Sequence, residues 1–340
     1  MHIKLNTPNK MFCQCQNEQN FETLTPNTHI CPVCTGQPGA LPTLSKEVVE
    51  KSLILGKVLN CKVNEYSQFD RKSYFYPDLP MGYQITQLYK PTNVQGQVSF
   101  FLNNYTQEKT VHILDAHMEN DTAKMIHNGS SALLDFNRAG TPLVEIVTNP
   151  DFSSTDEVVE FLKELQRLMR YNDISDADME KGQMRCDVNI SIRKSEADPL
   201  GTRAEIKNIN SFGMVKRAIE HEQARQEAIY EKGEAFSQQT RGRDDAKGES
   251  YLMRSKEDAL DYRFFPEPDL PQLHIDEEIM KRLSEQKVEI PYSIIKTFKE
   301  DYGFNKEYIN ALIGDKEVLH YFNAMIATNK DAKQGAKRIC

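Results

Sequence analysis

The sequence predicts an α+β fold in which a mainly antiparallel sheet carries helices, and three observations lead there. In 184–193, Met184, Cys186, Val188, Ile190 and Ile192 share one strand face, and Arg185, Asp187, Asn189, Ser191 and Arg193 share the other. A second alternating segment, 202–209, follows a short connector ending in Gly201, so the two segments can pair as antiparallel neighbours. Long helical stripes between such strands are the third observation, and they leave the strand order open.

In chain order, residues 6–44 are rich in Pro, Asn, Thr and Cys and show neither period, so the expectation is a loop pinned by something other than a core. A helix is expected from Ser45, with Glu47 in its first turn and Val48, Val49, Leu53, Ile54, Leu55 and Val58 at helical spacing. Strands are expected near 98–102 and 110–118. Ser154 and Glu157 form a capping box before the apolar stripe Val158, Phe161, Leu162, Leu165, Leu168 and Met169. A third helix is expected from about Phe212 to Glu231. Pro268 and Pro271 break regular structure, and from about Tyr292 the pattern turns helical, which sets a domain boundary near residue 290. With 340 residues the chain suits one large domain and a smaller appendage.

Charged residues are 27% of the chain, hydrophobic residues are 39%, and no apolar run approaches the roughly 20 residues that span a bilayer. The first thirty residues lack an apolar stretch of signal-peptide length, so the default compartment is the cytoplasm. A net charge of -8 argues against indiscriminate nucleic-acid binding, so any RNA contact must be local. The last sixty residues carry eleven Lys and Arg against eight Asp and Glu, a weak pointer to RNA beside the plainer reading of a solvated helical face.

Cys13-x-Cys15 and Cys31-x-x-Cys34 supply two close thiol pairs within a loop that has little else to hold it, so a tetrahedral structural zinc ion is expected ahead of unconnected structural cysteines. On alternation alone the polar face of 184–193 reads as ordinary solvent exposure ahead of the wall of an active cleft. His117, Glu119 and Asp121 alternate at a strand end, where a metal-binding face and a plain polar end have equal standing. Glu145 stands alone among Leu143, Val144, Ile146 and Val147, a setting in which an acid usually needs a partner, the alternative being an outward-facing edge residue. Tyr74, Phe75, Tyr76, Tyr83, Tyr262, Phe264 and Phe265, near Arg71, Lys72 and Arg263, read as core and turn packing ahead of base stacking.

Several longer strings carry a resemblance. FDRKSYFYPDLP (69–80), NRAGTPLVE (137–145), MRCDVN (184–189), EIKNINSF (205–212), MRSKE (253–257) and DYRFFPEPDLP (261–271) together resemble the B subunit of the aspartyl/glutamyl-tRNA(Asn/Gln) amidotransferases, over nearly the whole chain. That resemblance implies a glutamine-synthetase-like cradle over 1–290 with a zinc knuckle at 13–34. A helical domain would begin at 291–340 and lead, in the family, into a tail domain. It implies ATP-dependent amidation of misacylated Glu-tRNA(Gln) or Asp-tRNA(Asn), with an A subunit supplying the ammonia and a small C subunit to complete the heterotrimer.

Carried over by matched position, His2, Glu119 and Glu145 resemble the family's magnesium ligands and catalytic centre, and the four cysteines resemble its zinc ligands. Arg138, Lys207 and Arg254 lie in matched strings and are expected to offset the phosphate charge of ATP. The chain departs from the family pattern in beginning one residue before His2, in carrying Asn120 where a second acid is usual, and in ending at Cys340 before the tail. The expectation is therefore a chain truncated at both ends, with Asn120 lowering the negative charge of the magnesium site. The alternative is a catalytically impaired, zinc-stabilised tRNA-binding or assembly fragment.

Overall fold

The structure, a computed structural model, describes residues 1–195, 197–244, 249–255, 261–329 and 331–339. In chain order its first strands are β1 (His2–Lys4), β2 (Lys62–Val63), β3 (Tyr66–Ser67), β4 (Asp70–Ser73), β5 (Tyr83–Thr86), β6 (Asn93–Leu102), β7 (Gln107–Asn120), β8 (Lys124–Asn128) and β9 (Ser131–Asp135). They continue with β10 (Pro142–Thr148), β11 (Met184–Ile190), β12 (Ala204–Ile209), β13 (Gln239–Asp244), β14 (Glu249–Ser255), β15 (Phe265–Pro266) and β16 (Leu273–His274). The helices are α1 (Lys46–Val58), α2 (Thr155–Tyr171), α3 (Phe212–Glu231), α4 (Glu277–Glu285), α5 (Pro291–Glu300), α6 (Lys306–Ile313), α7 (Lys316–Asn329) and α8 (Ala332–Ile339).

Nine strands form one sheet in the order β14-β13-β12-β11-β1-β10-β7-β6-β2. The expected antiparallel character holds for every described pair except β12 and β13, which run parallel. Alternation sorts the faces. Ile3, Met118, Val144, Ile146, Met184 and Ile206 turn to one side and are buried against α2 and α3, whose Phe161, Leu162, Leu165, Val215 and Ala218 complete the core. The opposite face keeps the polar members of the same strands.

The expected helices form, with instructive ends. Ser154 Oγ accepts the Glu157 N–H at 3.3 Å, but Glu157 reaches past the cap and accepts the Ser153 N–H at 2.8 Å. Ser45 stands at the start of α1, where its hydroxyl donates to Glu47 at 2.9 Å instead of capping the backbone. Helices α5 to α8 surround a separate cluster built on Phe298, Phe304, Leu312 and Phe322, into which Phe101 of β6 and Tyr171 of α2 also pack. Buried Glu164 accepts the Tyr292 N–H at 2.8 Å, and the Tyr171 hydroxyl donates to Ile313 O at 3.0 Å, so the end of α2 anchors this second cluster.

A smaller sheet, β15-β4-β5, is fastened by Arg71, which donates at 2.7 and 2.9 Å to the fully buried Glu267 carboxylate. Arg71→Met should lower the unfolding free energy by about 3 kcal/mol, because it strands a buried anion. Urea unfolding measures this, and a loss below ~1 kcal/mol would show that Glu267 finds another partner.

Aromatic packing is less uniform than expected. Phe69 is core and Tyr74 meets Tyr262 edge-on at 5.8 Å, yet Phe75 is 96% exposed, and Tyr76 and Phe265 are exposed too. The turn at Pro77–Pro80 ends the strand pattern there, so the preceding side chains are carried outward.

Candidate active site and metal centres

Directly opposed residues in antiparallel strands lie on one face, so register alone builds a row. Glu145 pairs with His117 on one side and His2 on the other, and His2 in turn pairs with Arg185. Glu119, two positions from His117 on β7, shares that face. The side chains close up accordingly: His2 Nδ1 lies 3.4 Å from Glu119 and its Nε2 3.8 Å from Glu145. His2, Glu119 and Glu145 each offer a ligand atom, and these atoms all lie within 4.8 Å of one another.

Burial raises the proton affinity of the Glu119 carboxyl, but His2 and the Lys72 ammonium 3.9 Å away outweigh it and hold the acid below its ordinary range. Glu145 is likewise held low, since its burial is overcome by His117 and His2. His117 is raised to about 9: burial opposes its charge, but bonds to Asp115 at 2.7 Å and Glu145 at 3.3 Å prevail. At neutral pH the row therefore holds two carboxylates beside an imidazolium. Glu119 Oε2 is buried without a hydrogen-bond partner among the described atoms. Among the described residues that oxygen has only the Lys72 ammonium at 3.9 Å as an ionic neighbour, and a buried carboxylate so weakly partnered, beside a second carboxylate and an imidazole, suits a hard divalent cation.

The cationic wall beside this cluster comes from three further elements. Arg185 donates to Asp121 at 2.8 Å, and Arg138 approaches the same carboxylate oxygen at 3.7 Å while donating to the Thr122 and Ala123 carbonyls. Lys207 on β12 lies 3.0 Å from Asp187 and 3.3 Å from Glu205. On β14 the backbone of Arg254 stands opposite Thr240 of β13, and the Arg254 side chain lies outside the described residues. Lys72 is a site residue that sequence reasoning missed. It arrives through β4, a strand of the smaller sheet, and only its place beside the aromatic run hinted at a role.

Asn120 corrects an expectation. Its side chain leaves the row, as the next residue on a strand must, and its Oδ1 accepts the Ile85 N–H at 2.8 Å. An acid at that position would face β5 and not the His2 cluster, so asparagine there takes no charge from the site.

The second centre is the cysteine loop. Cys13, Cys15, Cys31 and Cys34 place their sulfurs within 4.8 Å of one another, an arrangement that can hold a metal such as zinc. Hydrogen bonding with Cys13 and the nearby Lys10 ammonium bring the Cys34 thiol down to about 5 against its burial, while Cys15 is pushed up to about 12 by burial and neighbouring sulfurs. Four such sulfurs can share charge comfortably only around a cation. Apart from one 3-10 turn at Phe21–Thr23 and a bridge between Asn9 and Gln16, residues 6–44 have no regular structure, as expected of a loop held from within.

Residues 1–281 match the family described as GatB/GatE catalytic domain. The chain belongs to this family. Among curated relatives, it is 43% identical over 343 residues to the B subunit of the aspartyl/glutamyl-tRNA(Asn/Gln) amidotransferase of Crocosphaera subtropica, covering 98% of this chain and 69% of that protein. The protein of the same name from Ruminiclostridium cellulolyticum is 43% identical over 341 residues, covering 100% of this chain and 69% of its own length. That of Helicobacter pylori is also 43% identical, over 344 residues, with 100% and 71% covered. Within this GatB/GatE catalytic domain the carboxylate row and the cysteine loop both fall inside the matched residues. No helix among the described residues is long and apolar enough to cross a membrane.

Proposed function

We propose that this chain is the amide-forming component of a tRNA-dependent amidotransferase. It would act on Glu-tRNA(Gln) or Asp-tRNA(Asn), using ATP and the ammonia that an A subunit releases from glutamine, with a C subunit to complete a cytoplasmic heterotrimer. Family membership supports the reaction class. The observation that carries the chemistry is the His2, Glu119 and Glu145 cluster, with a buried carboxylate oxygen that accepts no hydrogen bond among the described atoms, and a cationic flank.

The side-chain carboxylate of the esterified amino acid is a poor electrophile until one of its oxygens is phosphorylated. In this reading that oxygen attacks the γ-phosphorus of ATP and ADP leaves. Ammonia nitrogen then attacks the acyl carbon, and phosphate departs with the carbon–oxygen bond. His2, Glu119 and Glu145 would hold magnesium, which neutralises charge on the transferring phosphoryl group when bound. Arg138, Lys207 and Arg254, joined by Lys72 and Arg185, orient and offset the phosphates of ATP. Cys13, Cys15, Cys31 and Cys34 would hold a structural zinc ion. The nine-stranded sheet would then be a glutamine-synthetase-like cradle over 1–290, with a helical domain starting at 291.

The test is reconstitution with the A and C components, glutamine, ATP and each misacylated tRNA. Formation of Gln-tRNA(Gln) or Asn-tRNA(Asn) that depends on ATP is the expected result. Binding of tRNA with no ATP turnover overturns the proposal.

A further inference from the structure

Lys10 is the least expected residue in the interior. It is fully buried, and lysine is almost never so unless its ammonium is fully partnered. Its Nζ donates to His29 O at 2.9 Å and Phe136 O at 3.3 Å, and lies 3.4 Å from Cys34 Sγ. An ammonium has three donors and no acceptor, so three contacts saturate it. They come from three places: the loop before the second cysteine pair, that pair itself, and the 136–140 loop that carries Arg138.

The backbone repeats the same connection. Lys10 N–H donates to Cys15 O and Met11 N–H to Gly140 O, both at 2.9 Å, while Gly140 N–H donates to Asp121 O at 3.0 Å. Asn137 Oδ1 accepts the N–H groups of Thr28 and His29 at 2.9 and 2.8 Å. Gly140 has φ +82, the left-handed conformation that lets the chain turn from Arg138 into β10 and Glu145.

We infer that Lys10 is a positioning residue that couples the four-cysteine centre to the loop bearing Arg138 and to Asp121, just past the end of β7. Metal occupancy thereby sets the order of one wall of the carboxylate site. The inference rests on the reading of the cysteine loop as a metal centre. Four thiolates around a divalent cation leave an excess of negative charge, and the Lys10 ammonium offsets it from within contact distance. Methionine at this position retains the apolar stem and lacks all three donors.

The experiment uses the full chain loaded with zinc, and its Lys10→Met variant, challenged with excess chelator. Losing a group that bonds to a metal ligand weakens metal binding roughly 10- to 100-fold, and zinc release from K10M is expected to be faster by that factor. With zinc still bound, amide hydrogens of 136–141 should exchange about 10-fold faster in K10M than in the unaltered chain, because the loop opens locally. A side chain that only filled space would leave both readouts unmoved, and a folded K10M with unchanged zinc release and loop exchange overturns the inference. If K10M does not fold, stripping zinc from the unaltered chain must speed exchange in 136–141 more than in the distant turn at 103–106; equal effects overturn it. An unaltered chain that takes up no zinc overturns the metal reading itself, and its zinc stoichiometry makes that failure distinct.

Discussion

Glu119→Gln is expected to abolish most amide formation while leaving a folded chain. The substitution preserves volume and removes one charge from a buried position that faces His2 at 3.4 Å and Lys72 at 3.9 Å. If the carboxylate holds a divalent cation during phosphoryl transfer, its loss costs about 4 kcal/mol of transition-state stabilisation, on the order of a 10³-fold fall in kcat/KM. Stability moves less, because the amide oxygen still accepts from His2. Side-by-side amidation assays and urea unfolding measure the two effects. Amidation within a few-fold of the unaltered protein would sink the assignment of Glu119 as a ligand.

The second large effect is expected from Cys34→Ser. Its sulfur lies at the centre of the cysteine loop, 3.5 Å from Cys13 and 3.7 Å from Cys31, and it carries the thiolate that Lys10 faces. Structural zinc in small modules contributes roughly 10–16 kcal/mol of apparent binding free energy, and a loop without regular structure draws most of its order from that source. The variant should purify with no bound zinc, and residues 10–44 should become the first segment cut in limited proteolysis. A variant that still binds one equivalent of zinc and resists cleavage would show that three sulfurs and another donor suffice.

These two centres differ in how far they could be read from the sequence, and the difference is physical. The four cysteines are local: two pairs in one loop point to a metal centre through their spacing, and the structure brings their sulfurs together. Helix α3 runs Phe212–Glu231, the span expected for it, and in the structure Ser211 caps its start. Alternation likewise exposed β11 and β12. The carboxylate row was hidden from any such pattern, because period two says which face a residue takes and nothing about which strand lies beside it. His2, Glu119 and Glu145 came from matched strings, and only register brings them together. Asn120 shows the same limit: its neighbour on β7 belongs to the site, yet the pleat turns Asn120 toward β5. Lys72 enters from a separate small sheet, a placement that no local signal encodes.

The position of β1 carries a consequence for how the molecule assembles. Three residues at the amino-terminal end of this chain form a strand between β10 and β11, whose residues lie about 140 and 180 positions further along. His2 has no complete place to dock until the chain through β11, which ends at Ile190, is available. Closing so long a loop is entropically costly and favours late docking, after the β6–β7–β10 meander has formed. Strand β1 is thus among the last to settle, and the His2 imidazole joins Glu119 and Glu145 only when the sheet on both sides of it is already built.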